Sequence, residues 1–213
     1  DTLKIHFKFA ETILFVPYAR PGGMTHEAYT EIVKLAFSKI DKTVIGLHEY
    51  DNPKKAIKTA EALFVGGGNT FVLVDQLYKQ DLNDELKAAI DSGTPYLGTS
   101  AGSNICGLTI GSSNDMPIAY PPSFQTLGVF PFNINPHYLD PEPDSTHMGE
   151  IRETRIQEFH HFNSQPVMGL REGSYLEILG SKITLKGPLS ARIFEKNKSP
   201  YELHSGADVS NLN

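Results

Sequence analysis

Over the first two-thirds of the chain, short apolar runs alternate with segments whose apolar positions recur at helical spacing. Ile13-Leu14-Phe15-Val16 is the first run, and its length and β-rich composition predict a buried strand. After the turn signal Pro21-Gly22-Gly23, Ala28, Ile32, Leu35 and Ala36 share one helical face, and Val44 to Leu47 then reads as a strand. Asn52-Pro53 has the form of an N-cap followed by proline at the first helical position, introducing a helix through Ala56 and Ala60. Ala62-Leu63-Phe64-Val65 is the next strand, running into Gly66-Gly67-Gly68-Asn69. A helix from Phe71 to Tyr78 follows, then one capped at Asn83 with Leu86, Ala89 and Ile90 inward, then a strand from Pro95 to Thr99 that meets Ser100. This alternation predicts an α/β fold, a mostly parallel sheet flanked by helices. Beyond residue 165 the texture changes to Val167–Leu170, Tyr175–Leu179, Ile183–Leu185 and Ala191–Phe194 between Gly and Ser turns, which predicts a β-rich part built of hairpins.

Composition narrows the picture. The 213 residues suit one domain, 1–213, with Tyr120-Pro121-Pro122 and Pro141-Glu142-Pro143 as ordered loops rather than linkers. With 39% hydrophobic and 21% charged residues the composition is neither disordered nor fibrous, and no stretch has the apolar length of a membrane span. A net charge of −6 with scattered signs argues against a nucleic-acid partner, because phosphate neutralisation needs clustered Lys and Arg. The lone Cys106, between Ile105 and Leu108, is expected to be a buried thiol and rules out an intrachain disulfide. With no secretory leader at Asp1-Thr2-Leu3-Lys4, the expected location is the cytoplasm.

Gly98-Thr99-Ser100-Ala101-Gly102 fits G-x-S-x-G between a predicted strand and helix, the setting of a nucleophile elbow. A serine at so tight a turn is strained with its hydroxyl above the sheet, and side chains on the flanking glycines would crowd it. The competing structure is an ordinary glycine-rich turn whose serine caps the helix. Serine becomes a useful nucleophile when a histidine accepts its proton and a carboxylate orients that imidazole. Of eight histidines His137 is best placed, just after an apolar run and restrained by Pro136, although a purely structural role fits the same local sequence. His160 and His161 are adjacent and diverge in direction, while His6, His26, His48, His147 and His204 sit in polar surroundings that read as surface. Asp115 falls in a loop between the two segments, where it either orients His137 or closes an Asx turn with Asn114. Gly66-Gly67-Gly68-Asn69 at a strand end presents backbone N–H groups to an anion, with Gly68 and Ala101 as oxyanion donors. A phosphate loop is the alternative, but neither a G-x-G-x-x-G pattern nor a Walker lysine accompanies it.

Five motifs in one order, Gly-Gly-Gly-Asn-Thr at 66–70, Ser-Ala-Gly at 100–102, Asn-Asp-Met-Pro-Ile at 114–118, Asn-Pro-His at 135–137 and Gly-Glu-x-Arg at 149–152, resemble the peptidase E family of aspartyl dipeptidases. The resemblance implies a flavodoxin-like sandwich related to class I glutaminases, no cofactor, and Asp-X dipeptides as substrates. It places the catalytic serine at Ser100, the histidine at His137, the aspartate at Asp115, the oxyanion donors at Gly68 and Ala101, and the substrate-binding arginine at Arg152. Glu172 matches a glutamate that is an alternative third catalytic group. Two departures stand out. The family ordinarily begins with a strand and a Ser-Asn-Ser loop, whereas this sequence enters near the following helix; if that strand is absent, the sheet loses a member and exposes an edge beside the core. Ile151 stands where threonine is usual beside the arginine. Two further function classes fit parts of the pattern: a related exopeptidase, cyanophycinase-like or other short-peptide hydrolase sharing the Gly-Gly-Asn and Ser-Ala-Gly motifs, and a catalytically silent α/β module that binds a small anion.

Overall fold

The structure, a computed structural model, describes residues 2–141 and 150–213. A short helix, α1 (Thr2–His6), leads into β1 (Thr12–Val16), α2 (His26–Ser38), β2 (Thr43–Gly46), α3 (Pro53–Lys58), β3 (Leu63–Val65), α4 (Thr70–Lys79), α5 (Asn83–Asp91), β4 (Tyr96–Gly98) and α6 (Ala101–Asn104). The four strands form a parallel sheet in the order β2-β1-β3-β4, with Phe15 beside Phe64 and Phe64 beside Leu97. Period-two alternation gives the central strands β1 and β3 two buried faces. Ile13, Phe15 and Phe64 pack with Tyr29, Val33 and Phe37 of α2, while Leu14, Val16, Leu63 and Val65 pack with residues of α3, α4 and α5 such as Ile57, Leu73 and Leu86. That is why these strands read as unbroken apolar runs. Phe15 is fully buried with its ring 5.0 Å from Tyr29 in an edge-on arrangement, and side chains of this kind each contribute about 1.5–3 kcal/mol.

The second part contains β5 (Asn133–Pro136), α7 (Arg152–Phe162), β6 (Val167–Leu170), β7 (Tyr175–Leu179), β8 (Lys182–Lys186), β9 (Ala191–Phe194) and β10 (Tyr201–Leu203). Its sheet runs β10-β9-β6-β5, with β5 parallel to β6 and the rest antiparallel, and β7-β8 is a separate hairpin as the sequence predicts. Phe132, Ile134, Met168, Leu185 and Ile193 form its core. The chain is thus α/β with a helix-flanked parallel sheet and an added β-rich part.

Several local expectations shift. Asn83 is the first residue of α5 rather than its cap: buried Leu82 holds the cap position at φ −107°, ψ −8°, so the chain is already close to helical there. Leu47 leaves the strand for a 3₁₀ turn, Leu47–Glu49. Helix α3 ends at Lys58, two residues before Ala60, but its start follows the prediction, with Asn52 accepting from the Lys55 N–H at 3.0 Å and Pro53 at the first turn. Cys106 is buried as expected, and burial pushes its thiol up to about 12. Strand β4 is the edge of its sheet, its three residues only half-buried, and the His6 imidazole lies 3.0 Å from the Tyr96 carbonyl there. Among the described residues no helix is long and apolar enough to cross a membrane. Glu142 and Pro143 of the expected Pro-rich loop, His147 and Gly149 lie outside the described residues.

Candidate active site

The chain leaves β3, β4, β5 and β6 at their carboxyl ends into the segments that carry the candidate residues. That is where open α/β sheets collect ligand sites. Ser100 is two residues past β4 and adopts φ 53°, ψ −112°, a conformation that costs a non-glycine residue on the order of 1–3 kcal/mol. The sequence tolerates it because of its neighbours. A Cβ on Gly98 would stand 2.3 Å from the Gly102 carbonyl oxygen, and one on Gly102 would stand 2.1 Å from that of Val65, so both flanking positions admit only glycine. The Ser100 carbonyl accepts from the N–H groups of Ser103 and Asn104 and from the Ser103 hydroxyl, which ties the turn into α6. Its side chain makes no capping bond to α6 among the described residues, unlike an ordinary N-capping serine.

The glycine run lies directly against this turn. A Cβ on Gly67 would be 2.9 Å from that of Ser100, and Gly68, at φ 147°, has the Ala19 carbonyl 2.2 Å from where a side chain would begin. Ala101 opens α6, so its N–H is among those a helix start leaves without an intrahelical acceptor.

Pro136 pairs with Leu170 across β5 and β6, and since these strands are parallel, the residues following them emerge side by side. His137 is one step past β5 at φ 53°, and Glu172 is two steps past β6. The imidazole Nδ1 lies 2.5 Å from Glu172 Oε2, a contact between side chains that are 53% and 81% exposed. With Nδ1 donating to Glu172, Nε2 is free to accept a proton. Glu172 occupies the corner of a turn closed by the Ser174 N–H on the Arg171 carbonyl at 3.1 Å, with Gly173 at φ 83°, the conformation a type II turn requires at its third residue.

Asp115 shares the neighbourhood but serves another element. Its Oδ2 accepts from the Thr70 N–H at 2.7 Å and from the Thr70 hydroxyl at 2.6 Å, at the start of α4. Asn69 reinforces the junction, donating to the Met116 carbonyl at 2.8 Å and accepting from the Val72 N–H at 3.1 Å. The Asp115 loop is thereby fastened to the glycine run, through a long-range contact rather than the Asx turn its local sequence allows.

The amide pairing that joins these loops goes beyond the sequence expectations. Asn114 donates to the Asn135 side chain at 2.9 Å and to the Pro136 carbonyl at 3.1 Å, and Asn135 returns a bond to Asn114 at 2.9 Å and another to the Ser112 carbonyl at 2.7 Å. The available signal was two asparagines two apart in an apolar strand, since buried amides must find partners. Arg152 is the first residue of α7, half-buried, with Nη1 3.4 Å from the Pro136 carbonyl. Desolvation foremost, with Arg155 beside it, lowers its pKa, and a guanidinium stays charged regardless. Arg155 is exposed on the solvated side with Glu150 at 3.8 Å. Ser100, Ser113, Asn114, Asp115, Pro136, His137 and Arg152 together line a cleft of about 240 Å³. His160 is buried and donates from Nε2 to the Gln165 carbonyl, 3.1 Å away, while His161 is exposed, so the pair diverges as expected.

A helix-flanked parallel sheet with a serine on a strained strand-to-helix turn and a polar cleft at its strand ends defines an α/β protein of hydrolase type. The chain belongs to peptidase family S51, whose model matches residues 3–186. It is 45% identical over 212 residues to "Peptidase E" of Streptomyces coelicolor, covering 100% of this chain and 86% of that relative. It is also 45% identical over 203 residues to the "Probable alpha-aspartyl dipeptidase" of Drosophila melanogaster, covering 95% and 83%. Its fold is that of a solved peptidase from an acI-B1 Actinobacterium, with a TM-score of 0.69 at 18% identity, covering 92% of this chain and 82% of the other.

Proposed function

We propose that this protein is a serine-type dipeptidase that hydrolyses dipeptides beginning with aspartate. The observation that carries the reading is the convergence of Ser100, His137 and Arg152 on one cleft, with Glu172 on the far side of the imidazole. Names of full-length relatives, peptidase E and alpha-aspartyl dipeptidase, support the same substrate class.

In this mechanism His137 Nε2 takes the proton of Ser100 as Oγ attacks the peptide carbonyl. The N–H groups of Gly68 and Ala101 receive the negative oxygen of the tetrahedral intermediate. The intermediate collapses, the leaving amine takes the proton from His137, and a water activated by the same imidazole hydrolyses the aspartyl ester. Glu172 holds the imidazole in the tautomer this requires. Asp115 acts at one remove, fixing Thr70 and with it the position of Gly68. Arg152 receives the aspartate side chain, since a guanidinium grips a carboxylate with two parallel bonds and so reads direction as well as charge. We place the enzyme in the cytoplasm, where a lone buried thiol such as Cys106 is at home.

The test is a dipeptide panel with the wild type and Ser100→Ala. Asp-Leu hydrolysis by the wild type should fall on the order of a thousandfold or more in the variant with its circular dichroism unchanged. Turnover that survives in Ser100→Ala removes this serine from the mechanism. Cleavage of branched aspartate polymers in preference to Asp-Leu would favour the cyanophycinase-like alternative.

A further inference from the structure

His137 and Glu172 are largely exposed, so side-chain packing does little to hold their mutual geometry. Their alignment must therefore be set by the two backbone segments that carry them, and the side chain of Arg171 on the Glu172 segment contacts two side chains on the His137 segment. Arg171 precedes Glu172 and is itself mostly buried, at 14% side-chain exposure. Its Nε and Nη2 donate to the two oxygens of Asp140, at 2.8 and 2.7 Å, three residues beyond His137. Its guanidinium also lies over the ring of Tyr138, the residue after His137, 5.6 Å from the centroid. On its other side Nη1 and Nη2 donate to the two oxygens of Glu202 on β10, at 2.7 and 2.9 Å, and Nη1 reaches the Ser190 carbonyl at 2.9 Å. Glu202 continues to Arg192 at 3.4 Å, and Arg192 to Glu153 at 3.0 Å, one residue from Arg152. The alternating charges thus run from the exit of β5 across the sheet to the first turn of α7.

We infer that Arg171 is a positioning residue for the reaction: by bridging Asp140 and Glu202 in two bidentate grips, it fixes the His137 segment against the turn that carries Glu172. This rests on the hydrolase reading above and adds to it a residue that touches neither substrate nor reacting atoms. Two bidentate grips determine the orientation of both partners, which a single point charge does not. Surface ion pairs ordinarily contribute little. This one differs in being multidentate, networked and centred on a mostly buried guanidinium.

The experiment is a double-mutant cycle on Asp-Leu hydrolysis, with Arg171→Gln made in the wild type and in Glu172→Gln. If Arg171 acts through Glu172, the first comparison should show kcat lowered about tenfold with KM changed less than about twofold, and the second a further loss under about twofold. Arg171→Lys should recover only part of the rate, because an ammonium cannot bridge both carboxylates in two-bond geometry. Should Arg171→Gln fail to fold, Asp140→Asn loosens one grip only, and the same dependence on Glu172 is expected of it at smaller amplitude. Equal losses in both backgrounds, or an unchanged kcat in folded Arg171→Gln, would overturn the inference while leaving the hydrolase reading intact. A wild type that neither cleaves Asp dipeptides nor labels with a serine-directed acylating probe would instead overturn the hydrolase reading, and this inference with it.

Discussion

Replacing Glu172 by glutamine removes the charge from the partner of His137 while keeping its shape. An amide presents an oxygen or an NH2 group to Nδ1 with no preference for the productive tautomer. The magnitude follows from exposure. Where a triad aspartate is buried, its amide replacement costs about 10⁴ in kcat. Here the two side chains are 53% and 81% exposed, so water screens the charge: at 4 Å the attraction is nearer about 1 kcal/mol than the roughly 4 kcal/mol of a partly desolvated pair. What remains is chiefly the charge-assisted hydrogen bond, about 1.5–3 kcal/mol. That predicts a loss in kcat of about 10- to 150-fold, with KM nearly unchanged because Glu172 does not meet the substrate. Asp115→Asn is the matched control. Asparagine can keep an oxygen for both Thr70 donors, so the loss should be under about fivefold, or about 1 kcal/mol. Initial rates with Asp-Leu for both variants, with circular dichroism as the check on folding, decide the matter. A dead Asp115→Asn beside a nearly normal Glu172→Gln would refute the assignment of the orienting carboxylate to Glu172.

Three further outcomes are expected. Arg152→Ala should lower the ratio of kcat/KM for Asp-Leu over Asn-Leu by at least about tenfold, the worth of a charge-assisted contact, and an unchanged ratio would show that another group reads the aspartate. Gly102→Ala sets a methyl 2.1 Å from the Val65 carbonyl oxygen, so Tm should drop by the equivalent of about 1–3 kcal/mol, whereas an unchanged Tm would mean that α6 does not rest on β3 as described. Acid should selectively loosen the Arg171 network. The guanidinium holds Glu202 well below its ordinary 4.5, at about 2, and lowers Asp140 as well. Because both folded-state values are depressed, their contribution is present above the unfolded values near 4 and is lost as pH falls below them, for Glu202 as it approaches about 2. Denaturant titrations over that window should show a shallower decline for Arg171→Gln, and parallel curves for the two proteins would contradict it.

What the sequence determined by itself is local. Ile13 to Val16 and Leu63 to Val65 are strands because both faces of each are apolar, and that pattern needs no knowledge of the partner that covers it. The strained serine was legible for the same reason. A G-x-S-x-G stretch between strand and helix specifies a turn whose glycines are demanded by atoms within a few residues or on the adjoining strand. Cap chemistry was legible where proline supported it, at Asn52-Pro53, and misleading at Asn83, where burial of Leu82 decided the boundary. The carboxylate that faces His137 was a different kind of question. Asp115 and Glu172 lie 22 residues before and 35 residues after it, and nothing in either local sequence ranks them. Tertiary structure decides because β5 lies parallel to β6, bringing their exits together and Glu172 to the imidazole, while Asp115 is taken up by Thr70, 45 residues away. Which loops share a sheet end depends on strand order, and strand order is fixed by the packing of whole elements rather than by any run of residues short enough to read.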